Sequence, residues 1–145
     1  MKPEETIDFH IRWAWFNISR MYNLEASKYG GSMAIGYALL NIDINEGTPS
    51  TKLAPKMGME SRSLTRMIKS LEEKGIIYKK ADAQDKRMVR LFLTDLGKEM
   101  RSKAIDSVHQ FNYKIREEIS PEDLETTFKV LSQVNEIIDR NNIFS

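Results

Sequence analysis

The strongest constraint on the fold of this sequence is a change of hydrophobic period near its middle. Two short apolar patterns with helical spacing, residues 50–57 and 61–74, are separated by Gly58. After Gly75 the apolar residues alternate instead, and strand-forming residues dominate up to Leu93. Two short helices around a glycine-containing turn, followed by extended segments, predict a helix-turn-helix that continues into a β-hairpin.

The predicted hairpin has an unusually polar loop. Its strands, residues 76–80 and 88–93, enclose residues 81–87, a connection too long for a tight two-residue turn. Lys86 and Arg87 place positive charge near the tip of this loop. We interpret the loop as a wing beside the helix-turn-helix.

Longer helical patterns flank this unit on both sides. Residues 4–28 and 32–44 predict two helices before it, and residues 95–119 predict a long helix after it. A last helix should begin after Ser120, where an N-cap residue is followed by Pro121 at the first helical position. The chain is therefore expected to be mostly α-helical with a small β component.

Pro55 conflicts with the first short helix. Proline has no backbone N–H to donate and costs about 3 kcal/mol in a helix interior. We therefore expect the helix over residues 50–57 to be distorted or to begin late.

Charge is distributed unevenly along the chain. The net charge is only +1, but residues 50–94 contain eleven basic and five acidic side chains, a net +6, while the remainder has a net −5. Partners respond to such local fields rather than to the total. Clustering alone does not distinguish a solvated surface from a surface that binds a polyanion, so the arrangement of the charges must decide.

The helix over residues 61–74 carries two opposed stripes at 100° per residue. Its apolar stripe, expected to face the core, consists of Leu64, Ile68 and Leu71. Its outward stripe carries the basic side chains Arg62, Arg66 and Lys69, and it is flanked by the hydroxyl side chains Ser63, Thr65 and Ser70. Arginine can bind guanine acceptors, and hydroxyl groups can bind bases or phosphates. The pattern predicts a recognition helix for the major groove, the alternative being a solvated charged face.

The wing carries the most specific motif. Residues 85–94 read DKRMVRLFLT, followed by Gly97, and resemble the wing signature D-x-R-x5-L-T of the MarR (multiple-antibiotic-resistance regulator) family. Upstream segments around Leu53, Thr65 and Leu71 resemble the helix-turn-helix core of the same family in the same order. This resemblance implies a homodimer whose terminal helices intertwine, with recognition helices in consecutive major grooves and wings at the minor grooves.

The resemblance also implies residue roles. Arg87 corresponds to the wing arginine that approaches the minor groove, and Asp85 corresponds to the acidic residue that positions it. The complete predicted DNA-binding set is Ser61, Arg62, Ser63, Thr65, Arg66, Lys69, Asp85, Lys86 and Arg87. For Asp85 and Arg87 the alternative is an exposed ion pair worth less than about 1 kcal/mol.

Four aromatic residues near the predicted dimer region suggest a second site. Members of the family that this chain resembles often bind a small aromatic or anionic effector between the DNA-binding lobe and the dimer helices. The candidate pocket residues here are Trp13, Trp15, Phe16 and Tyr37. The alternative is that these side chains belong to the core.

Several other classes of function are not expected. The chain has no cysteine, and its two histidines, His10 and His109, lack a metal-ligand motif. Phosphate loops, nucleophile elbows and metal-binding histidine pairs are absent, so we expect no enzyme and no cofactor. Apolar runs are too short to span a bilayer and no signal-peptide pattern opens the chain, which predicts a cytoplasmic protein.

Together these features predict a winged helix-turn-helix lobe over residues 32–97 and a helical dimerisation region formed by residues 1–31 and 98–145. The predicted function is sequence-specific DNA binding in transcriptional regulation, as a homodimeric repressor on a pseudo-palindromic operator that a small effector releases. Two alternatives stay open. One is a winged-helix module for protein contact, and the other is an architectural DNA binder without sequence preference.

Overall fold

A computed structural model describes residues 1–144. It confirms a mostly helical winged helix-turn-helix with a small antiparallel sheet. In chain order, the elements are a short 3-10 helix Pro3–Glu5, α1 Ile7–Ser27, α2 Met33–Leu40, β1 Thr48–Pro49, α3 Ser50–Met57, α4 Ser61–Glu73, β2 Ile77–Ala81, β3 Val89–Leu93, α5 Asp95–Glu118 and α6 Pro121–Arg140. No described helix is both long enough and apolar enough to cross a membrane.

The chain divides into two compact units, and α5 runs from the first into the second. The first unit is Met1–Ser107 and contains the winged helix. The second begins at Val108 and contains α6. The predicted grouping of residues 1–31 with 98–145 concerns a dimer and stays a prediction.

The sheet has the strand order β1-β3-β2, with both neighbours antiparallel to β3. The β2–β3 pair confirms the predicted hairpin, in which Ile77 lies opposite Leu93. Strand β1 is two residues long and was not predicted, because a Thr-Pro dipeptide has no strand periodicity. Its pairing of Thr48 with Leu91 makes β3 the central strand and fixes the segment before α3 to the hairpin.

The core of the first unit lies between the sheet and helices α2, α3 and α4. Its most completely buried large side chains are Leu39, Ile42, Leu53, Leu71, Ile77 and Leu91. Full burial of each such side chain stabilises the fold by roughly 1.5–3 kcal/mol. The predicted inward stripe of α4 is confirmed, because Leu64, Ile68 and Leu71 are all buried.

Helix α3 turns into α4 through a left-handed glycine. Gly58 has φ +62° and donates its N–H to the Pro55 carbonyl, while Met59 donates to the Ala54 carbonyl at 3.1 Å. These two bonds close the helix in a Schellman motif. Because α3 begins at Ser50, a late start, one of the two effects expected of Pro55, is not observed, and distortion of the helix stays a prediction. Proline occupies the sixth position, where it removes one hydrogen bond, and the buried residues before it hold the helix.

Other helix limits follow local chemistry. The Ser32 hydroxyl accepts the Ile35 N–H at 3.2 Å, and the Ser120 hydroxyl accepts the Asp123 N–H at 3.1 Å, so both predicted N-caps are present. Helix α2 ends at Leu40, four residues earlier than predicted. The Asp43 carboxylate instead binds the N–H groups of the two residues that follow Ile44, which favours a turn over continued helix.

Candidate nucleic-acid interface

The outer face of α4 is exposed and cationic. All six side chains predicted to contact DNA there, from Ser61 to Lys69, point to solvent. Within residues 1–144, no salt bridge engages Arg62, Arg66 or Lys69. These cations can therefore bind a phosphate or a base edge without first breaking an ion pair.

Two details refine the hydrogen-bonding capacity of this face. The Thr65 hydroxyl donates to the Ser61 carbonyl at 2.8 Å, which leaves its oxygen as an acceptor for an outside partner. Glu60 precedes α4, but its side chain caps none of the first backbone N–H groups. The first turn of α4 therefore keeps donors that suit an anion such as a phosphate.

The wing projects a guanidinium that is held by a neighbouring carboxylate. The Arg87 side chain is 91% exposed, and its Nε and Nη2 donate to the two oxygens of Asp85 at 3.1 and 3.3 Å. The Asp85 carboxylate also accepts the backbone N–H of Arg87. The side chain and then the backbone of Arg87 hold the pKa of Asp85 below its ordinary value. Asp85 thus fixes the direction of Arg87, while the DNA role of both residues stays a prediction.

Two important residues of the wing, Asp82 and Arg90, were missed at the sequence level. They form an ion pair at the base of the loop, with Nη2 and Oδ2 separated by 2.9 Å. The spacing of Asp82 from Gln84 and Asp85 is typical of an Asx turn and could have indicated the first of them. No local signal indicates Arg90, because it also contacts backbone that pairs with β3 only in the folded chain.

The ionised form of Asp82 is strongly favoured. Backbone N–H groups of Gln84 and Asp85, together with the Arg90 side chain, hold the pKa of Asp82 below its ordinary value. A carboxyl whose pKa is lower in the folded state than in the unfolded chain stabilises the fold above its unfolded pKa. This contribution is complete at neutral pH and is lost as the pH falls through the lowered folded-state value.

The comparison with known families identifies the lobe that carries these residues. Residues 37–89 match a family model whose description is MarR family. This match to the MarR family lies within the winged helix and covers 53 of the 145 residues. The matched segment begins in α2 and ends at the first residue of β3, so it contains every residue of the predicted DNA-binding set.

Solved structures agree with the MarR fold over almost the whole chain. The S. aureus MepR–DNA complex superposes with a TM-score of 0.83 at 17% identity, over 92% of this chain and 98% of that chain. CouR bound to a 23-mer DNA duplex gives 0.79 at 20% identity, over 91% and 94%. CouR from Rhodococcus jostii RHA1 bound to p-coumaroyl-CoA gives 0.79 at 19%, over 92% and 94%. At these identities the likeness establishes the fold.

Apart from the outer face of α4 and the wing, the four aromatic candidates do not form one group. Trp15 stacks on Tyr37 with ring centroids 6.3 Å apart, whereas Trp13 meets Phe16 edge-on at 5.9 Å. Residues two positions apart on a helix point about 200° apart, which separates the two tryptophans. All four side chains are more than a third exposed, so the alternative that they belong to the core does not hold within one chain. Their role in effector binding stays a prediction.

The first unit also contains a polar cleft that the sequence did not indicate. It has a volume of about 520 Å³ and includes Asp43, Lys56 and Arg101 in its lining. Arg101 donates from Nε to the Leu39 carbonyl at 3.2 Å, which orients it there. Two cations beside one carboxylate leave this cleft with a net positive charge.

Proposed function

We propose that this chain is a sequence-specific DNA-binding regulator of transcription that acts as a homodimer on a pseudo-palindromic duplex. The observation that carries the proposal is the outer face of α4, where Arg62, Arg66 and Lys69 are exposed and form no ion pair with any residue that the structure describes. The opposite face of the same helix is buried in the core, so the cations are presented on a rigid support. Arg87 adds a further exposed cation, which lies on the wing.

The comparisons support DNA as the partner and regulation as the role. Residues 37–89 match the MarR family model, and two similar structures, of MepR and of the transcriptional repressor CouR, are DNA complexes. In the proposed mode, each recognition helix enters a major groove, and the two helices are separated by about one turn of DNA, roughly 34 Å. Repression then follows from occlusion of the promoter, and the protein acts in the cytoplasm, where bacterial DNA is located.

Uncovered apolar side chains on the terminal helices support the dimer. Helix α6 buries no residue, although its apolar positions include Phe128 and Ile138, which are 52% and 57% exposed. On α1, Ile7 and Leu24 are 49% and 64% exposed. Apolar stripes of this kind are unfavourable in water and typically mark interaction surfaces. In the proposal a second copy of the chain covers them.

Binding measured against salt concentration tests this function. Duplexes are first selected from genomic fragments with the purified protein, and fluorescence anisotropy then compares the selected duplex with a scrambled one. We expect two chains per duplex and a preference for the selected sequence of at least about 10³-fold. The logarithm of the affinity should fall with the logarithm of salt by about 0.9 per neutralised phosphate.

The two alternatives give different results in the same experiment. Equal affinity for both duplexes with the same salt dependence would indicate an architectural binder. No binding even at low salt would contradict a DNA-binding function and would favour a module whose exposed arginines meet an acidic protein.

The proposal includes release by a small aromatic or anionic ligand. It is supported by the exposed stack of Trp15 on Tyr37, by the cationic cleft around Lys56 and Arg101, and by the CouR structure that holds p-coumaroyl-CoA. We expect phenolic carboxylates of the salicylate type to quench tryptophan fluorescence and to lower the affinity for DNA. A ligand that releases the protein from DNA must bind the DNA-bound protein and the free protein with different affinity.

Two variants distinguish the candidate ligand sites. Trp15→Phe should abolish the fluorescence change if the ligand lies at the Tyr37 stack, whereas Lys56→Gln should weaken release if it lies in the cleft. A ligand series that changes neither fluorescence nor DNA affinity would contradict this part of the proposal.

A further inference from the structure

The side chain of Arg90 connects parts of the chain that are distant in sequence. Its Nε donates to Oδ2 of Asp82 at 3.0 Å, and its Nη2 forms a salt bridge with the same oxygen at 2.9 Å. Its Nη1 donates to the carbonyl oxygens of Glu46 and Gly47 at 3.2 and 3.3 Å. One guanidinium therefore joins the base of the wing loop, the central strand β3 and the segment that leads into β1.

Asp82 extends this connection into the wing loop. Its Oδ1 accepts the backbone N–H groups of Gln84 and Asp85 at 2.9 and 3.1 Å. Its own N–H donates to the Met88 carbonyl at 2.9 Å, which links the start of the loop to its end. The Asp82 residue is only 8% exposed, so its bonds are less accessible to water than those at the loop tip.

The series of hydrogen bonds that begins at Arg90 ends at the exposed wing arginine, Arg87. Asp85, whose backbone is held by Asp82, binds both the side chain and the backbone N–H of Arg87. We propose that Arg90 and Asp82 are positioning residues for the wing: they hold the loop on the segment before β1 and, through Asp85, direct Arg87 toward its partner. The part that concerns the partner rests on the DNA-binding function proposed above.

The physical reason is the cost of ordering a loop. Without such contacts, a seven-residue polar loop would become ordered only when it binds. Fixing the backbone of each residue would then cost about 1–2 kcal/mol of conformational entropy. Hydrogen bonds made in the free protein prepare the loop in advance. Arginine is required for this role because its planar fork supplies donors in two directions, whereas a lysine ammonium cannot reach a carboxylate and two carbonyl oxygens in the same geometry.

Hydrogen exchange in the free protein tests the positioning role without DNA. The variants are Arg90→Lys, which keeps the charge, and Asp82→Asn, which keeps the size. We expect the amides of Gln84, Asp85 and Arg87 to exchange at least about fivefold faster in both, because their local opening becomes easier. Amides in the β2–β3 ladder should remain unchanged, and Lys129→Gln on α6 serves as the control for an unrelated charge change.

A double-mutant cycle with Arg87→Ala tests whether the effect on DNA passes through Arg87. Arg90→Lys should weaken binding to the selected duplex by about tenfold in the otherwise native chain, since coupled residues lose the shared interaction together. In the Arg87→Ala background, Arg90→Lys should weaken binding to the selected duplex by less than about twofold. A merely structural defect would lower affinity equally in both backgrounds.

The outcomes separate the two proposals. If the native chain binds no DNA but Arg90→Lys still accelerates exchange in the wing, the DNA-binding function fails and the positioning of the loop stands. If wing exchange is unchanged in both variants, or if Arg90→Lys weakens DNA binding equally with and without Arg87, the positioning role is overturned while the DNA-binding function survives.

Discussion

Replacement of Gly97 by alanine should destabilise the first unit by at least about 3 kcal/mol, the upper range for an overpacked site. An added Cβ would overlap the carbonyl oxygen of Ile76, which is backbone and cannot rotate away. That carbonyl also accepts the N–H and the hydroxyl of Thr94 at 3.1 and 3.0 Å, so a shift would break the start of α5. Urea denaturation followed by circular dichroism would measure the loss.

Gly36→Ala is the matched control for this substitution. Gly36 lies within α2, and an added Cβ would meet only the Ala104 Cβ at 3.6 Å, an ordinary contact. Alanine in a helix interior is favoured over glycine by about 0.8–1.0 kcal/mol, so this variant should be neutral or stabilised. Equal stability of the Gly97→Ala and Gly36→Ala proteins would show that the contact between α5 and the backbone before β2 is not tight.

The second large effect is expected on DNA recognition. Arg66→Ala should lower the affinity for the selected duplex by about 1–3 kcal/mol, roughly 5- to 150-fold, because a bidentate contact to a base is lost. The scrambled duplex should lose far less, since only one phosphate-attracting charge is removed. Competition anisotropy with both duplexes measures the ratio of the affinity for the selected duplex to the affinity for the scrambled one.

Two further variants control for charge and position. Arg66→Lys keeps the charge but not the planar fork, so it should lose sequence preference while retaining nonspecific affinity. Lys129→Ala removes an exposed cation of α6 and should change neither the sequence preference nor the nonspecific affinity. If Arg66→Ala weakens both duplexes equally, Arg66 contacts phosphate only and base recognition must lie elsewhere.

Much of the candidate interface could be predicted because it depends on local periodicity. The stripe of Leu64, Ile68 and Leu71 needs only the 3.6-residue repeat, and its burial leaves Arg62 and Arg66 facing outward. The wing was predictable for a similar reason, since alternating strands with a polar connection have few other ways to fold. Their DNA-binding role is still a prediction that the experiments above must test.

Several differences between the predictions and the structure come from contacts between distant parts of the chain, whereas the early end of α2 comes from the local turn at Asp43. Strand β1 exists only because Thr48 meets Leu91, and a two-residue strand has no pattern of its own. The stacking of Trp15 on Tyr37 was not predictable, because it joins residues of two different helices, α1 and α2. Pro55 was given too much weight because the buried side chains that hold α3 were not known.

The sequence by itself determined the order of the helices and of the two hairpin strands, the two faces of α4 and the charge of the wing, because each follows from residues within a few positions of one another. Only the tertiary structure decided what Arg90 and Gly97 do. Arg90 binds a carbonyl 43 residues away, and Gly97 lies against the backbone of Ile76. Such contacts depend on how separate elements pack, and no local pattern of side chains encodes them.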